Sequence, residues 1–438
     1  MVIVGAGFAG LAAAQVLARS PAQVTVVDRR NHHLFQPLLY QVATAALDPS
    51  HIASPVRTVL RRAANTEVVL GEVVGIDQDR RRVRLADASL SYDWLIVASG
   101  AQDSYFGHAD WAERAPGLKS IEDALEIRRR VLLAFEHAER TDDPDQRSAL
   151  MTFVLVGGGP TGVELAGALS EIAHHALRRD FRRIDTRQTR IVLVEALPRL
   201  LPTYPEHLAR RARETLGRLG VEVRTGERVT AIDASGVQVG EERIPARTVL
   251  WGAGVTASAL GSLLLAERDR GGRVRVAATL ALPSDDRVFV VGDLALVEKD
   301  GNAVPGVAPA ALQMGTHAAR NIGRAMRGEA LKPFRYRDKG TFAVIGRGAA
   351  VGVLGSRVGI SGFPAWLAWL GIHLLFLVGF RNRIAVLFSW AYSYLTYQRV
   401  ARLITTRWAP AEGSAPRPTP KPGAEATRGG RAGTAAID

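Results

Sequence analysis

One local pattern occurs twice in this chain and fixes most of what it can fold into. A short apolar strand runs into three glycines, an apolar helix follows, and the next strand ends on an acid. The first copy is MVIVGAGFAG followed by LAAAQVLA and QVTVVD, with Gly5, Gly7, Gly10 and Asp28 at the marked positions. The second is FVLVGGGPTGVELAGAL followed by RIVLVE, with Gly157, Gly159, Gly162 and Glu195. Each glycine has a separate physical task. The first permits a tight turn, the second lets backbone approach a pyrophosphate, and the third lets helix and strand pack closely. The phosphates then rest on a helix N-terminus. An acid about 20 residues past the middle glycine is placed to accept a ribose 2′-hydroxyl. Two such units in one chain imply two bound dinucleotides. A carboxylate at Glu195 repels a 2′-phosphate, so NADH is expected at the second unit in preference to NADPH.

Further strands look like returns of the first unit. YDWLIVASG, residues 92–100, closes on small residues, and DRVFVVGDLA, residues 286–295, delivers Gly292 and Asp293 to a strand end. TVLWGAGV, with Gly254 in its turn, closes the second unit. The expected fold is α/β: two Rossmann-like domains, the NAD domain inserted into a split FAD domain, and a C-terminal amphipathic helical region for membrane anchoring. The expected segments are 1–118 for the first part of the FAD domain, 119–150 for a helical linker and 151–270 for the NADH domain. Residues 271–350 return to the FAD domain, 351–408 associate with the membrane and with a second copy, and 409–438 form a disordered tail rich in proline, glycine and alanine.

Composition narrows the chemistry. The chain of 438 residues contains no cysteine, which removes disulfide exchange and thiolate metal sites. Redox work therefore falls to a bound cofactor. The net charge of +13 comes without a basic groove interleaved with aromatics, so nucleic acid is not an expected partner. His32, His33, His174 and His175 lack further ligands, and no metal site is expected. No signal peptide is expected ahead of the first glycine turn.

The segment FPAWLAWLGIHLLFLVGF, residues 363–380, has no Asp, Glu, Lys or Arg. As a helix it rises about 27 Å, short of a hydrocarbon core of about 30 Å. Beyond it, Ser389, Ser393, Thr396, Arg399 and Arg402 recur at helical spacing, which suggests a helix lying in a membrane interface. Trp366, Trp369 and Trp390 are expected at headgroup depth, and Arg381, Arg383, Arg399, Arg402 and Arg407 against an anionic lipid surface. His373 is expected to pack or touch headgroups.

Beyond the glycines, HLFQPLLYQVATAAL, PGVAPAALQMG, KGTFAVIGRGAAV and GFRNRIAVLFSWAYSYLTYQRVARLI resemble the type II NADH dehydrogenases, single-subunit NADH:quinone oxidoreductases that do not pump protons. The resemblance covers about residues 1–408. It implies FAD at Gly5, Gly7, Gly10, Asp28, Gly292 and Asp293, and NADH at Gly157, Gly159, Gly162 and Glu195. It places Gln36, Pro37, Leu38 and Gln41 beside the isoalloxazine. It puts Glu164 near nicotinamide and flavin, and Gln313 and Lys339 toward the quinone, as catalytic candidates. The family's glutamine pattern is broken here by Pro309 and Met314. The implied reaction is hydride transfer from NADH to FAD and then two-electron reduction of a membrane quinone, ubiquinone or menaquinone. The implied setting is a homodimer on the cytoplasmic face of the inner membrane. A soluble NADH-dependent reductase for a protein partner and a nonenzymatic NADH-binding regulator share the fingerprints and stay open at this point.

Overall fold

The computed structural model describes residues 1–299, 302–355, 358–396, 398–399 and 401–404. Its principal elements begin with β1 (Val2–Val4), α1 (Phe8–Leu17), β2 (Val24–Asp28), α2 (Leu39–Ala43), β3 (Thr66–Leu70), β4 (Leu95–Val97) and α3 (Ile121–Arg140). The second fingerprint gives β5 (Thr152–Val156), α4 (Pro160–Glu171), β6 (Arg190–Glu195), α5 (Glu206–Arg218), β7 (Val221–Thr225) and β8 (Thr248–Trp251). Then follow β9 (Ala281–Leu282), β10 (Asp285–Val290), α6 (Ala308–Ala325), β11 (Gly340–Gly346), β12 (Ala349–Leu354), β13 (Val358–Gly362), α7 (Phe363–Phe376) and α8 (Phe380–Thr396).

Two sheets answer to the two fingerprints. The first has the order β9-β10-β4-β1-β2-β3, and its strands are fully buried where the sequence is an unbroken run of Val, Ile and Leu. Such runs suit a parallel sheet covered on both faces. Strand β10 lies parallel to β4, with Val288 opposite Leu95, so the chain leaves this sheet and comes back to it. The second sheet, β7-β6-β5-β8, is parallel throughout and is built from the intervening residues. Between them runs α3, started by a reciprocal cap: Asp123 donates its backbone N–H to the Ser120 hydroxyl at 3.2 Å, and Ser120 donates its own to the Asp123 carboxylate at 2.8 Å. That capping box satisfies two helix-end donors at once.

A third sheet, β11-β12-β13, is antiparallel and sits on α4. The approach requires Gly167, where a Cβ would stand 1.7 Å from the Ile345 carbonyl oxygen. The helices α7 and α8 pack into the same core as α2, α3 and the second sheet, through Trp366, Trp369, Val386 and Trp390. A buried aromatic of this size removes about 150–250 Å² from water, which at about 25 cal/mol per Å² is about 4–6 kcal/mol. These helices are part of the fold.

That corrects the headgroup expectation for the tryptophans, all three of which are buried. It also corrects the arginines. The helix ends at Thr396, so Arg399 and Arg402 do not continue its polar side. Arg399 is buried and paired with Glu171 at 2.9 Å, and Arg402 pairs with Asp180. Arg383 turns back to donate to the carbonyls of Leu377 and Leu375 at the end of α7. Arg381 remains exposed. Most of what α8 shows outward is apolar, with Phe380, Ile384, Leu387, Phe388 and Leu395 exposed. Among the described residues no helix is long and apolar enough to cross a membrane. Arg407 and the disordered tail expected at 409–438 lie outside the described residues.

Candidate active site

The two glycine turns have the same construction. Gly5 and Gly157 have φ of +99° and +110°, and a side chain on either would run into backbone, at Ala98 and at Ala253. Gly10 and Gly162 would each put a Cβ 1.8 Å from a carbonyl oxygen, of Gly5 and of Gly157. At the middle position the geometry reverses. Gly7 and Gly159 cap α1 and α4, and nothing lies within 4 Å of where their Cβ would be. Open space in front of a helix N-terminus is what a pyrophosphate needs. The acids complete each cradle. Asp28 accepts from the backbone N–H of Ala6 at 2.7 Å and of Arg30 at 2.8 Å. Glu195 accepts from Gly158 at 2.6 Å and Leu197 at 2.7 Å. Each carboxylate is locked against its own glycine turn and keeps lone pairs for ribose hydroxyls. On these observations the residues fit FAD and NADH.

Gly292, with φ of +72°, stands between Ala9 of α1 and Ala311 of α6, and its N–H points at the Met314 sulfur at 3.3 Å. Met314, at the break in the family pattern, thus fills this contact. Asp293 follows in a one-turn helix, its carboxyl raised above the ordinary range by burial and drawn back by Lys119. Gly254, also left-handed, allows Phe106 and Ser104 to close over its turn, where a Cβ would meet the Phe106 ring at 2.5 Å.

Glu164 is on α4, its Oε1 at 3.4 Å from the Val344 backbone N–H of β11. It is half-buried, and the surrounding protein withholds enough water to push its carboxyl up to about 8. A carboxyl with no cation beside it takes the neutral form when desolvated. Against α4 packs α2, whose Tyr40 is buried and feels Glu164 electrostatically. Leu38 is fully buried, while Gln36 and Pro37 are half-buried. Gln41 is buried and engaged at both ends: its Nε2 donates to the Tyr40 hydroxyl at 3.0 Å and its Oε1 accepts from the Trp390 indole at 2.7 Å.

The other two candidates are farther out. Gln313 exchanges two hydrogen bonds with the backbone of Arg337, at 2.9 and 3.0 Å, and so fixes the loop leading to Lys339. Lys339 is exposed, its Nζ 5.6 Å from the centre of the Phe376 ring, a cation–π distance. Both therefore stand beside the entry to β11, the strand that also touches Glu164. His373 has its Nδ1 2.7 Å from the Trp369 carbonyl oxygen, and burial lowers its imidazole to about 4. It packs edge-on to Phe35, which meets Phe8 of the first glycine turn in the same way. An aromatic file thus connects the first cradle to the C-terminal helices. No group of three or more metal-ligating side chains occurs among the described residues.

Several participants escaped the sequence reading. Tyr40 sat unmarked inside a quoted motif. Arg347 likewise sat unmarked inside a quoted motif, and Glu171 had no motif at all, since its partners Arg347 and Arg399 are 176 and 228 residues away. The signal that could have exposed Arg399 was the helix stop after Thr396, which spacing did not reveal.

Comparison with known proteins agrees with this construction. The family model for pyridine nucleotide-disulphide oxidoreductases matches residues 1–315. The chain is 45% identical to the type II NADH:quinone oxidoreductase Ndh of Mycobacterium tuberculosis, over 93% of this chain and 91% of that protein. It is 30% identical to the type II NADH:quinone oxidoreductase of Haemophilus influenzae, over 82% and 88%. Among solved structures, NDH2 from Plasmodium falciparum in complex with NADH superposes with a TM-score of 0.84 at 18% identity, over 91% of this chain and 98% of that one. Sulfide:quinone oxidoreductase from Aquifex aeolicus shares the fold at a TM-score of 0.71 and 18% identity, over 88% and 91%. With two dinucleotide cradles, no cysteine and these relatives, the chain belongs to the type II NADH:quinone oxidoreductases, within the pyridine nucleotide-disulphide oxidoreductase family.

Proposed function

We infer that this protein oxidises NADH and reduces a quinone through FAD, with no protons pumped. The observation that carries the reading is the pair of matched cradles in a chain that has no thiol to pass electrons through. FAD held there would supply the two-electron chemistry that links NADH oxidation to quinone reduction, with two protons taken up by the quinone. The chain supplies position and surroundings. The helix N-termini at Gly7 and Gly159 hold the pyrophosphates, and Asp28 and Glu195 hold the riboses. Arg199, the first cation after Glu195, is turned to the Pro202 carbonyl, which supports NADH over NADPH. Glu164, neutral at pH 7, is suited to donate a hydrogen bond to the carboxamide or to hold a proton near the flavin. Lys339 and Gln313 stand on the side of the C-terminal helices, where a lipid quinone would enter.

The outward apolar row on α8 supports seating on a membrane surface, because a contiguous exposed patch of this kind needs a cover. We place that surface on the cytoplasmic side and include anionic lipid, met by Arg381, and a second copy of the chain among its neighbours. Anaerobic stopped-flow absorbance tests the reaction: NADH bleaches the flavin and an added quinone restores it. Bleaching without recovery would leave an NADH-oxidising flavoprotein with some other acceptor.

A further inference from the structure

The C-terminal segment is bonded to the rest of the chain at the far end of α4 from the second glycine turn. Glu171, at the end of α4, accepts from the Arg347 backbone N–H at 2.7 Å and from the Arg399 guanidinium at 2.9 Å. Arg399 is buried, and its other Nη donates to the carbonyl and hydroxyl of Thr44, both at 3.1 Å, just past α2. The Arg347 guanidinium donates to the carbonyls of Ser393 and Tyr394 in the last turn of α8, at 2.7 and 2.6 Å. Ala401 donates its N–H to the Ala45 carbonyl at 3.2 Å. Four elements therefore meet at Glu171: α2, α4, the turn after β11, and the chain leaving α8.

Glu171 lies two turns along α4 from Glu164, and Arg347 lies three residues beyond Val344. The seam between α4 and β11 is thus pinned at two points: Val344 to Glu164 at one end, Arg347 to Glu171 at the other. Gly167, between them, lets the strand sit directly on the helix. The Glu164 end is held by one long hydrogen bond, and the Glu171 end by an ion pair supplied from the C-terminal segment.

We propose that Arg399 is a positioning residue: seated on Glu171 and Thr44, it keeps the α4–β11 seam closed, so that docking of the C-terminal helices sets the geometry and water access of Glu164. This rests on the reading of Glu164 as part of the nicotinamide–flavin site. The titratable groups facing Glu164 are Tyr40 from α2 and Tyr204 ahead of α5, both raised by burial and uncharged near neutrality. Beyond them on the seam are Glu171, Arg347 and Arg399. A seam that opens admits water to Glu164 and lowers its affinity for a proton, while Tyr40 and Tyr204 do not titrate in the same interval.

The test uses FAD-loaded, full-length protein carrying R399M, R399K, E164Q or R399M with E164Q. Two quantities are followed: the pH profile of anaerobic flavin reduction by NADH, and hydrogen exchange at the Val344 and Arg347 amides. Wild type should show an ionisation that E164Q removes. R399M should move that ionisation down by about one pH unit or more and raise exchange at both amides. R399K, which keeps the charge, should lie between, and the double variant should have the E164Q profile. A wild-type profile in R399M, where E164Q alters it, would overturn the latch. If E164Q changes nothing, the reading of Glu164 fails separately, and amide exchange decides: faster exchange in R399M supports the latch and unchanged protection refutes it. If R399M does not fold, R399K carries the same comparison.

Discussion

Alanine at Gly159 and at Gly162 should separate cofactor binding from folding, although the two positions are three residues apart. At Gly159 φ is −72° and no atom lies within 4 Å of the added methyl. Alanine there strains nothing, and by restricting the unfolded chain it can add about 0.4–1 kcal/mol of stability. Its methyl, however, enters the space assigned to the NADH pyrophosphate. The KM for NADH should rise about tenfold or more, equivalent to about 1.4 kcal/mol of lost binding, with FAD content and Tm unchanged or slightly higher. At Gly162 the methyl would lie 1.8 Å from the Gly157 carbonyl oxygen, where real contacts do not fall below 3.0 Å. Helix or turn must move by more than 1 Å. Such overpacking costs about 1–3 kcal/mol, and with an unfolding entropy of about 2.1 cal/mol/K per residue the fall in Tm is about 1–3 °C. Calorimetry, flavin absorbance and NADH kinetics on the two variants give all the readouts. Flavin loss in Gly159→Ala would mean that the cradles are assigned in reverse, and an unchanged KM would mean that this turn holds no pyrophosphate. Gly7 and Gly10 offer the same comparison for FAD.

The raised carboxyl of Glu164 makes a prediction about stability. Folded and at about 8, against an ordinary 4.5, it binds more proton than the unfolded chain between those values, so its burial penalty grows as pH rises through them. Glu164→Gln should therefore gain stability on wild type from pH 5 to pH 9, by at most about 5 kcal/mol and by less to the extent that water reaches this half-buried group. A gap that is the same at both pH values would contradict the burial argument. Glu195→Gln should narrow the preference for NADH over NADPH in kcat/KM, and an unaltered ratio would remove Glu195 from that role. Phe388→Glu, on the outward row of α8, should reduce flotation with phospholipid vesicles while flavin bleaching by NADH proceeds; undiminished flotation would place the lipid contact elsewhere.

The parts that depend on local backbone geometry were legible in the residues alone. Three glycines at fixed offsets after an apolar run leave few conformations that bury the strand and start the helix. Both cradles, with Asp28 and Glu195 at the following strand ends, were legible for that reason. So was α3, whose cap lies within four residues of Ser120. Tertiary structure alone decided what the C-terminal region does. Hydrophobic periodicity shows that a face must be covered but not by what. Trp366, Trp369 and Trp390 therefore looked suited to a membrane, while the fold had already placed them inside. Arg399 looked like a headgroup contact because helical counting carried it past the point where α8 stops. Its partners, Thr44 and Glu171, are 355 and 228 residues away in sequence, and no local rule joins them. Glu164 combines both kinds of information. Its place on the helix after the second glycine turn followed from the motif, but its proton affinity arises from the packing of β11 and α2 around it.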